Sequence, residues 1–156
     1  MKLRRRIEGK TDYKARIGLL KSGKNRIVFR KTNKYIIGQY IKSEEARDFV
    51  IVGTTSKDLL KFGWLETKKG SLKSIPACYL VGFLLGKKII DKDFKEGIFD
   101  IGLSRNIAKS RAYSFLKGVV DAGVKVNCNE KMFPEEKRIK TSNLEEIKQN
   151  IERKFA

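Results

Sequence analysis

Two short runs of alternating apolar and polar residues flank a turn-forming segment at residues 26–41. Ile, Val, Phe and Tyr dominate both runs, and Thr-Asn-Lys at residues 32–34 separates them. Asn33 tolerates the left-handed conformation that a tight connection needs, so the pattern predicts a β-hairpin. In its first strand, Ile27 and Phe29 share one face, and Arg26 and Arg30 share the other.

The second strand of this hairpin has two possible outward faces. Tyr35, Ile37 and Gln39 alternate with Ile36, Gly38 and Tyr40. We expect the first set to face outward, because it contains the polar Gln39. The hairpin would then have one apolar face and one basic face.

The rest of the pattern predicts a mixed α/β fold in which helices pack against a sheet. The apolar run at 49–52 predicts a third strand, at 47–55, buried on both faces. Gly82 and Gly86, in the long helix predicted at 75–92, predict that this helix packs closely against a strand. Trp64 is expected to pack over the core. The other predicted elements are a short helix in 56–63, a long buried helix at 75–92, a strand at 97–103, a helix at 111–122 and an edge segment at 124–126.

Both ends of the chain are predicted to differ from this central domain. Residues 1–16 are highly charged and are expected to be disordered until bound, with a short helix starting at Thr11 or Asp12 and ending near Gly23. The core is expected to end at 127–134, and Asn143 is expected to cap a final helix with a narrow apolar stripe. We therefore divide the chain into an arm with a short helix (1–22), an α/β domain (23–126) and a C-terminal extension (127–156).

The charge distribution points to a polyanionic partner. The chain of 156 residues has a formal net charge of +18. Residues 1–42 contain 14 Lys and Arg against 2 acidic residues, a balance of +12, and the remainder carries only +6. A folded domain with one strongly basic third has the charge pattern of a nucleic-acid-binding protein, although a merely solvated basic surface is the alternative.

Several other classes are disfavoured by composition. The chain has no His and two Cys fifty positions apart, which fits a reducing cytoplasmic setting without a metal site, a cofactor or a disulfide framework. The longest apolar stretch, at 75–86, is too short to span a bilayer, so a membrane is not expected as a partner. A small-molecule substrate is not expected either.

An enzyme remains a weak alternative. Asp100 lies towards the end of the predicted strand at 97–103, and Asp91, Asp93 and Asp121 would be its companions in a Mg²⁺-dependent nuclease. Nothing in the sequence brings these four together, and we expect Asp100 instead to accept hydrogen bonds or to pair with Arg105. The chain has no phosphate-binding loop and no nucleophile with a histidine base. A binding protein is favoured.

RNA is favoured over duplex DNA as the ligand. The sequence shows no helix-turn-helix, zinc finger or basic zipper. A basic strand face next to a basic arm suits phosphate contacts and stacking on exposed bases.

Several segments resemble one protein family. They are RRRIEGKTDYKAR at 4–16, RIVFRKTNKYIIGQYI at 26–41, IPACYLVGFLLGKK at 75–88, DIGLSR at 100–105, SRAYSFLKGVVDAG at 110–123 and FPEEKRI at 133–139. With these motifs the chain resembles the large-subunit ribosomal protein L-eighteen family, archaeal type. The helix after Asn143 lies outside the resemblance.

The resemblance implies a mixed α/β fold, no catalysis and no cofactor. It also implies binding to 5S rRNA, which the protein helps to anchor to the large-subunit rRNA in the central protuberance of the cytoplasmic ribosome, next to neighbouring ribosomal proteins. A non-ribosomal RNA-binding or assembly protein is the remaining alternative. The RNA-contact residues that the resemblance implies are Arg4, Arg5, Arg6, Lys10, Thr11, Tyr13 and Arg16 in the arm, Arg26, Arg30, Lys31, Asn33, Lys34, Tyr35 and Gln39 in the hairpin, and Arg105, Lys109 and Arg111.

Overall fold

A five-stranded mixed sheet forms the centre of the protein. The structure, a computed structural model, describes residues 4–44, 47–64, 71–141 and 143–155. The strands are Arg26–Lys31 (β1), Ile36–Glu44 (β2), Arg47–Thr55 (β3), Glu96–Asp100 (β4) and Lys125–Val126 (β5). Their order is β3-β2-β1-β4-β5. The β1–β2 and β2–β3 pairs are antiparallel, whereas β4 runs parallel to both β1 and β5.

Helices pack against this sheet, which confirms the predicted α/β class. Two of them, α3 and α4, are largely buried. The α-helices are Arg4–Ile7 (α1), Tyr13–Lys21 (α2), Ile75–Asp91 (α3), Arg111–Asp121 (α4), Glu136–Ile139 (α5) and Leu144–Lys154 (α6), and Ser56–Phe62 and Glu130–Met132 form 3-10 helices. Trp64, which follows the first 3-10 helix, is buried in the core as predicted.

The β1–β2 hairpin has the predicted faces. Phe29 pairs with Gly38 across the two strands, and the connecting turn is closed by a hydrogen bond from the Thr32 backbone N–H to the Tyr35 carbonyl, 2.9 Å. Ile36, Gly38 and Tyr40 are buried, while Ile37 and Gln39 are half-buried on the opposite face. This confirms the outward assignment, and Tyr40 instead donates its hydroxyl to the Glu96 carbonyl on the core side.

Close helix–helix contact, not helix-to-strand contact, explains the glycines of α3. A Cβ at Gly82 would lie 2.0 Å from the Phe115 carbonyl oxygen of α4, and a Cβ at Gly118 of α4 would lie 2.1 Å from the Tyr79 carbonyl oxygen. The two backbones therefore touch at positions where only glycine fits. The prediction that Gly82 and Gly86 face a strand was wrong, because the sequence does not show which element will cover them.

Strand β3 was predicted with the right bounds but the wrong burial. Phe49 is 51% exposed and Val50 is 53% exposed, because β3 is an edge strand that extends past the core. Further along the strand, the Lys92 and Lys88 ammonium groups donate to the Ile51 and Gly53 carbonyls at 3.2 Å. These lysines give hydrogen bonds to two backbone carbonyls on the unpaired edge of β3, which would otherwise lack donors from the described part of the protein.

The C-terminal segment completes the core, so the expectation that the core ends at 127–134 was wrong. Ile139, Leu144, Ile147 and Ile151 are all buried in the same apolar cluster as the sheet and α3. The Asn150 amide also donates to the Phe62 carbonyl, 3.1 Å. Asn143 precedes α6 as predicted, but its side chain makes no capping hydrogen bond.

Candidate nucleic-acid interface

The N-terminal arm contains two helices. Arg4–Ile7 forms a single helical turn where disorder was predicted, and neither α1 nor α2 buries a side chain. Asp12 begins α2 as predicted, because its carboxylate accepts hydrogen bonds from the backbone N–H groups of Lys14 and Ala15. The arm therefore presents its basic residues from two helices with exposed and half-buried side chains.

An alternating chain of arginines and aspartates connects the arm to the sheet. Arg16 of α2 donates to Asp48 of β3 at 2.9 Å, and Asp48 also accepts from Arg26 of β1 at 2.7 Å. Arg26 donates in turn to Asp100 of β4 at 2.9 Å, and Asp100 accepts from Arg30 at 3.1 Å. Four separate elements, α2, β1, β3 and β4, are thus held by one ionic network.

Arg26 is the buried centre of this network. Its side chain is 3% exposed, and it also donates to the Ser43 hydroxyl at 3.1 Å. Its guanidinium is therefore committed to protein partners and does not reach a ligand from this position. The prediction that Arg26 contacts RNA is corrected: alternation placed it on the outer face, but the sequence could not show that Asp48 and Asp100 would cover it there.

The network lowers the pKa of the Asp48 carboxyl group. Burial tends to raise the pKa of its carboxyl group, but hydrogen bonds from Ser43, Arg26 and Arg16 together outweigh that effect and lower it. Asp100 accepts hydrogen bonds, as predicted, and its donors are Arg26, Arg30 and the Gly102 backbone N–H. Pairing with Arg105, the other predicted possibility, is not seen among the described residues.

A groove runs between the arm and the outer side of the β1–β4 pair. It brings together three segments that the sequence analysis identified separately: the arm, strand β1 and the loop after β4. Six basic side chains and two acidic ones line it, namely Arg5, Lys10, Arg16, Arg26, Arg30 and Lys31 with Asp12 and Asp100. Thr11 also lies in this groove and accepts a hydrogen bond from Arg5 Nε at 2.9 Å.

A second groove lies at the hairpin turn and includes lysines that sequence reasoning missed. Asn33, Lys34 and Tyr35 line it together with Lys57 and Lys73. The Lys57 ammonium lies 4.4 Å from the centre of the Tyr35 ring, and Lys73 donates to the Asn33 carbonyl at 3.0 Å. Neither lysine belongs to a basic run, so only the fold reveals their place beside the turn.

The remaining predicted contact residues lie outside both grooves. Arg105 and Lys109 are exposed in the loop that precedes α4, and Arg111 is exposed in the first turn of that helix. Lys109 pairs with Glu135 at 2.7 Å. Gln39 is half-buried on the outer face of β2, and Arg4, Arg6 and Tyr13 belong to the exposed arm helices.

The described residues offer no cluster of metal ligands. Within 4–44, 47–64, 71–141 and 143–155, no group of three or more Cys, Asp and Glu side chains is placed to hold a metal ion. Burial raises the pKa of the Cys78 thiol to about 12, which leaves it protonated. None of the helices in these ranges is both long enough and apolar enough to cross a membrane.

Comparison with known proteins identifies the family. Residues 1–97 match the family model described as "Ribosomal large subunit proteins 60S L5, and 50S L18". The chain is also 42% identical over 152 residues to "Large ribosomal subunit protein uL18" of Korarchaeum cryptofilum, an alignment that covers 97% of this chain and 76% of the relative. The chain belongs to this ribosomal protein family.

Other archaeal members of the family show similar agreement. The relative with the same printed name in Methanothermobacter thermautotrophicus is 39% identical, with 96% of this chain and 76% of the relative aligned. The relative in Methanoculleus marisnigri is 43% identical, with coverages of 92% and 79%. The family resemblance seen in the sequence is thereby confirmed, and with it a structural, RNA-binding role in the large ribosomal subunit and in translation. This family is not a class of enzymes.

Proposed function

We propose that this chain binds 5S rRNA and helps to anchor it to the large-subunit rRNA in the central protuberance of the ribosome. The observation that supports this most strongly is the groove between the arm and the β1–β4 pair. Basic residues of the arm and of strand β1 converge there, next to the loop that follows β4. Neighbouring ribosomal proteins of the central protuberance are proposed as further partners.

The chemistry of the groove suits a folded RNA. Arginine and lysine side chains neutralise phosphates and release bound counterions, which favours binding of any polyanion. The hairpin adds a rigid edge whose second groove offers Tyr35 and Asn33, a ring for stacking and an amide for base edges. A surface that combines both kinds of contact can distinguish one RNA shape from another.

The remaining proposed contacts extend this surface in two directions. Arg4, Arg6 and Tyr13 continue it along the arm, and Arg105, Lys109 and Arg111 continue it around the start of α4. Gln39 contributes a polar side chain on the outer face of the sheet. Arg26 is excluded from the contact set, because its side chain is 3% exposed and its two Nη groups donate to Asp100, Asp48 and Ser43.

Direct binding measurements test the proposal. The purified chain is titrated with 5S rRNA and with an unrelated structured RNA of similar length at moderate salt, and 5S rRNA is expected to bind more tightly. Arg5→Ala combined with Lys10→Ala should weaken binding and reduce the salt dependence of log K by about one unit per lost phosphate contact. Equal affinity for both RNAs would overturn the assignment.

A matched control separates the effect of where the basic residues lie from the effect of total charge on RNA affinity. Lys61→Ala combined with Arg153→Ala removes the same two charges from exposed positions on the first 3-10 helix and on α6. These positions lie outside the proposed surface, so the control should change 5S rRNA affinity much less than the arm variant does. Similar losses in both variants would mean that overall charge, not the groove, drives binding.

A further inference from the structure

We propose that Arg30 grips a single RNA phosphate in a bidentate contact, and that Asp100 and Gly102 are the residues that hold its guanidinium in position for this. The inference deepens the proposed function and rests on it. It assigns opposite roles to two charged residues of the same groove: Arg30 touches the RNA, whereas Asp100 acts through Arg30.

The hydrogen bonds of Arg30 leave one part of its guanidinium free. Its Nη1 group donates to the carbonyls of Phe29 and Asp100 at 2.8 and 3.0 Å, which uses both of its N–H bonds. Its Nη2 group donates to Asp100 Oδ1 at 3.1 Å. The Nε–H and one Nη2–H have no protein partner among the described residues, and the side chain is 42% exposed. Two free N–H groups on one guanidinium match what a bidentate phosphate contact requires.

The loop after β4 holds the guanidinium from the other side. Gly102 has a φ of +62°, and a Cβ added there would lie 2.8 Å from Arg30 Cζ. The arginine therefore lies directly against the Gly102 backbone, in space that any side chain at this position would occupy. The Gly102 N–H donates to the same Asp100 Oδ1 that receives Arg30, at 2.7 Å. One carboxylate oxygen thus orders both the loop and the arginine.

Asp100 is itself fixed, because its second oxygen accepts from the buried Arg26. An arginine held this way loses less conformational entropy on binding than a free one does. Arg16 and Lys31 lie in the same groove and add positive charge around the free N–H groups. A phosphate that reaches the groove therefore meets one oriented fork among other basic side chains.

The effect of Asp100→Asn on RNA binding distinguishes positioning of Arg30 from attraction by total charge. Replacing Asp100 by Asn raises the net positive charge of the surface, so attraction to RNA by charge alone would increase. If Asp100 positions Arg30, the same change weakens binding, because the fork is no longer held.

Two variants that preserve charge carry the main test, with 5S rRNA affinity as the readout. Arg30→Lys keeps the positive charge but loses the planar fork, and Gly102→Ala displaces the guanidinium without changing any charge. Each is expected to lower affinity on the order of tenfold, with little change in the salt dependence of binding. Affinities within twofold of wild type for both variants would overturn the proposal.

Controls separate this effect from backbone strain and from misfolding. Gly23 also has a positive φ, +67°, but a Cβ there would meet nothing within 4 Å, so Gly23→Ala reproduces the strain without touching an arginine. Gly23→Ala should leave 5S rRNA affinity unchanged.

Asp100→Asn is compared with Glu145→Gln, which makes the same charge change at an exposed position of α6. If Asp100→Asn folds, as judged by circular dichroism, it should bind RNA more weakly than wild type, and tighter binding would contradict the proposal. If Asp100→Asn does not fold, the 5S rRNA affinity of Gly102→Ala decides whether the proposal holds.

Failure of this proposal is distinguishable from failure of the proposed function. Wild-type protein that does not prefer 5S rRNA over the unrelated RNA would refute the function. A wild-type preference that survives in Arg30→Lys and Gly102→Ala would refute only the assignment of Arg30.

Discussion

Arg26 and Asp100 form an ion pair of 2.9 Å in which the side chains are only 3% and 7% exposed. Burying two charges costs solvation energy that their mutual attraction repays only when further partners complete the geometry. Asp48 and Arg30 supply those partners, one at each end of the pair. The pair therefore joins the outer face of the sheet to the two exposed arginines of the groove, Arg16 and Arg30.

Removing Arg26 should destabilise the fold. Arg26→Met leaves the Asp100 carboxylate buried with one cationic partner fewer, and the expected loss in the free energy of unfolding is about 3 kcal/mol. Urea denaturation followed by circular dichroism measures it. Arg105→Met removes an exposed arginine and should change stability by less than about 0.5 kcal/mol. An Arg26 variant as stable as wild type would show that the network contributes little to the fold.

The Asp48 interactions should make stability depend on acid pH. The pKa of Asp48 is lower in the folded protein than in the unfolded chain, so its contribution is present above the unfolded-state pKa of about 3.9 and is lost as pH falls through the folded-state pKa. Wild type and Asp48→Asn are compared by thermal unfolding from about pH 7 to pH 3. The stability difference should be largest near neutral pH and shrink in acid. A constant difference would contradict the ionic contribution of Asp48.

The contact between α3 and α4 should not tolerate a methyl group. Gly82→Ala would place a Cβ 2.0 Å from the Phe115 carbonyl, so the helices must separate, at a cost of about 3 kcal/mol. Gly18→Ala in α2 is the control, because a Cβ there meets nothing within 4 Å. That control should be neutral or stabilising by up to about 1 kcal/mol, since Ala favours helix more than Gly does. Equal effects in the two variants would refute the close packing.

The last helix should behave as part of the core. Ile151 of α6 is fully buried in the core. Ile151→Ala should therefore lower the free energy of unfolding by about 2–4 kcal/mol, through lost burial and a residual cavity. Ile17→Ala removes the same atoms from a half-exposed position of α2 and should cost much less. Chemical denaturation with a single transition is expected for both variants. A separate early transition in Ile151→Ala would mean that α6 unfolds as an independent unit.

Local sequence rules worked well where neighbours along the chain decide the outcome. The hairpin, the bounds of β3 and the start of α2 followed from alternation, turn residues and capping by Asp12. The capping of α6 by Asn143 failed, because a capping residue type does not ensure the backbone angles that its side chain needs. The apolar stripe of α6 was nevertheless predicted correctly.

Burial was harder to predict than secondary structure. The apolar run 49–52 is typical of a central strand, yet β3 lies at the edge of the sheet, where Phe49 and Val50 remain exposed. Strand order depends on contacts between distant segments, and an apolar run does not specify them. The same reason explains why the glycines of α3 were assigned to a strand and why the core was expected to end too early.

The sequence by itself determined the class of this protein: an α/β domain with a strongly basic N-terminal third and the motifs of a ribosomal protein family. Composition and periodicity are properties of the chain, so they are readable before folding. Only the tertiary structure decided which arginines are available. Arg26 and Arg30 lie on the same face of one strand, but Asp48 and Asp100, contributed by β3 and β4, bury the first and orient the second. Coulombic pairing between distant residues depends on distances that only the folded chain defines.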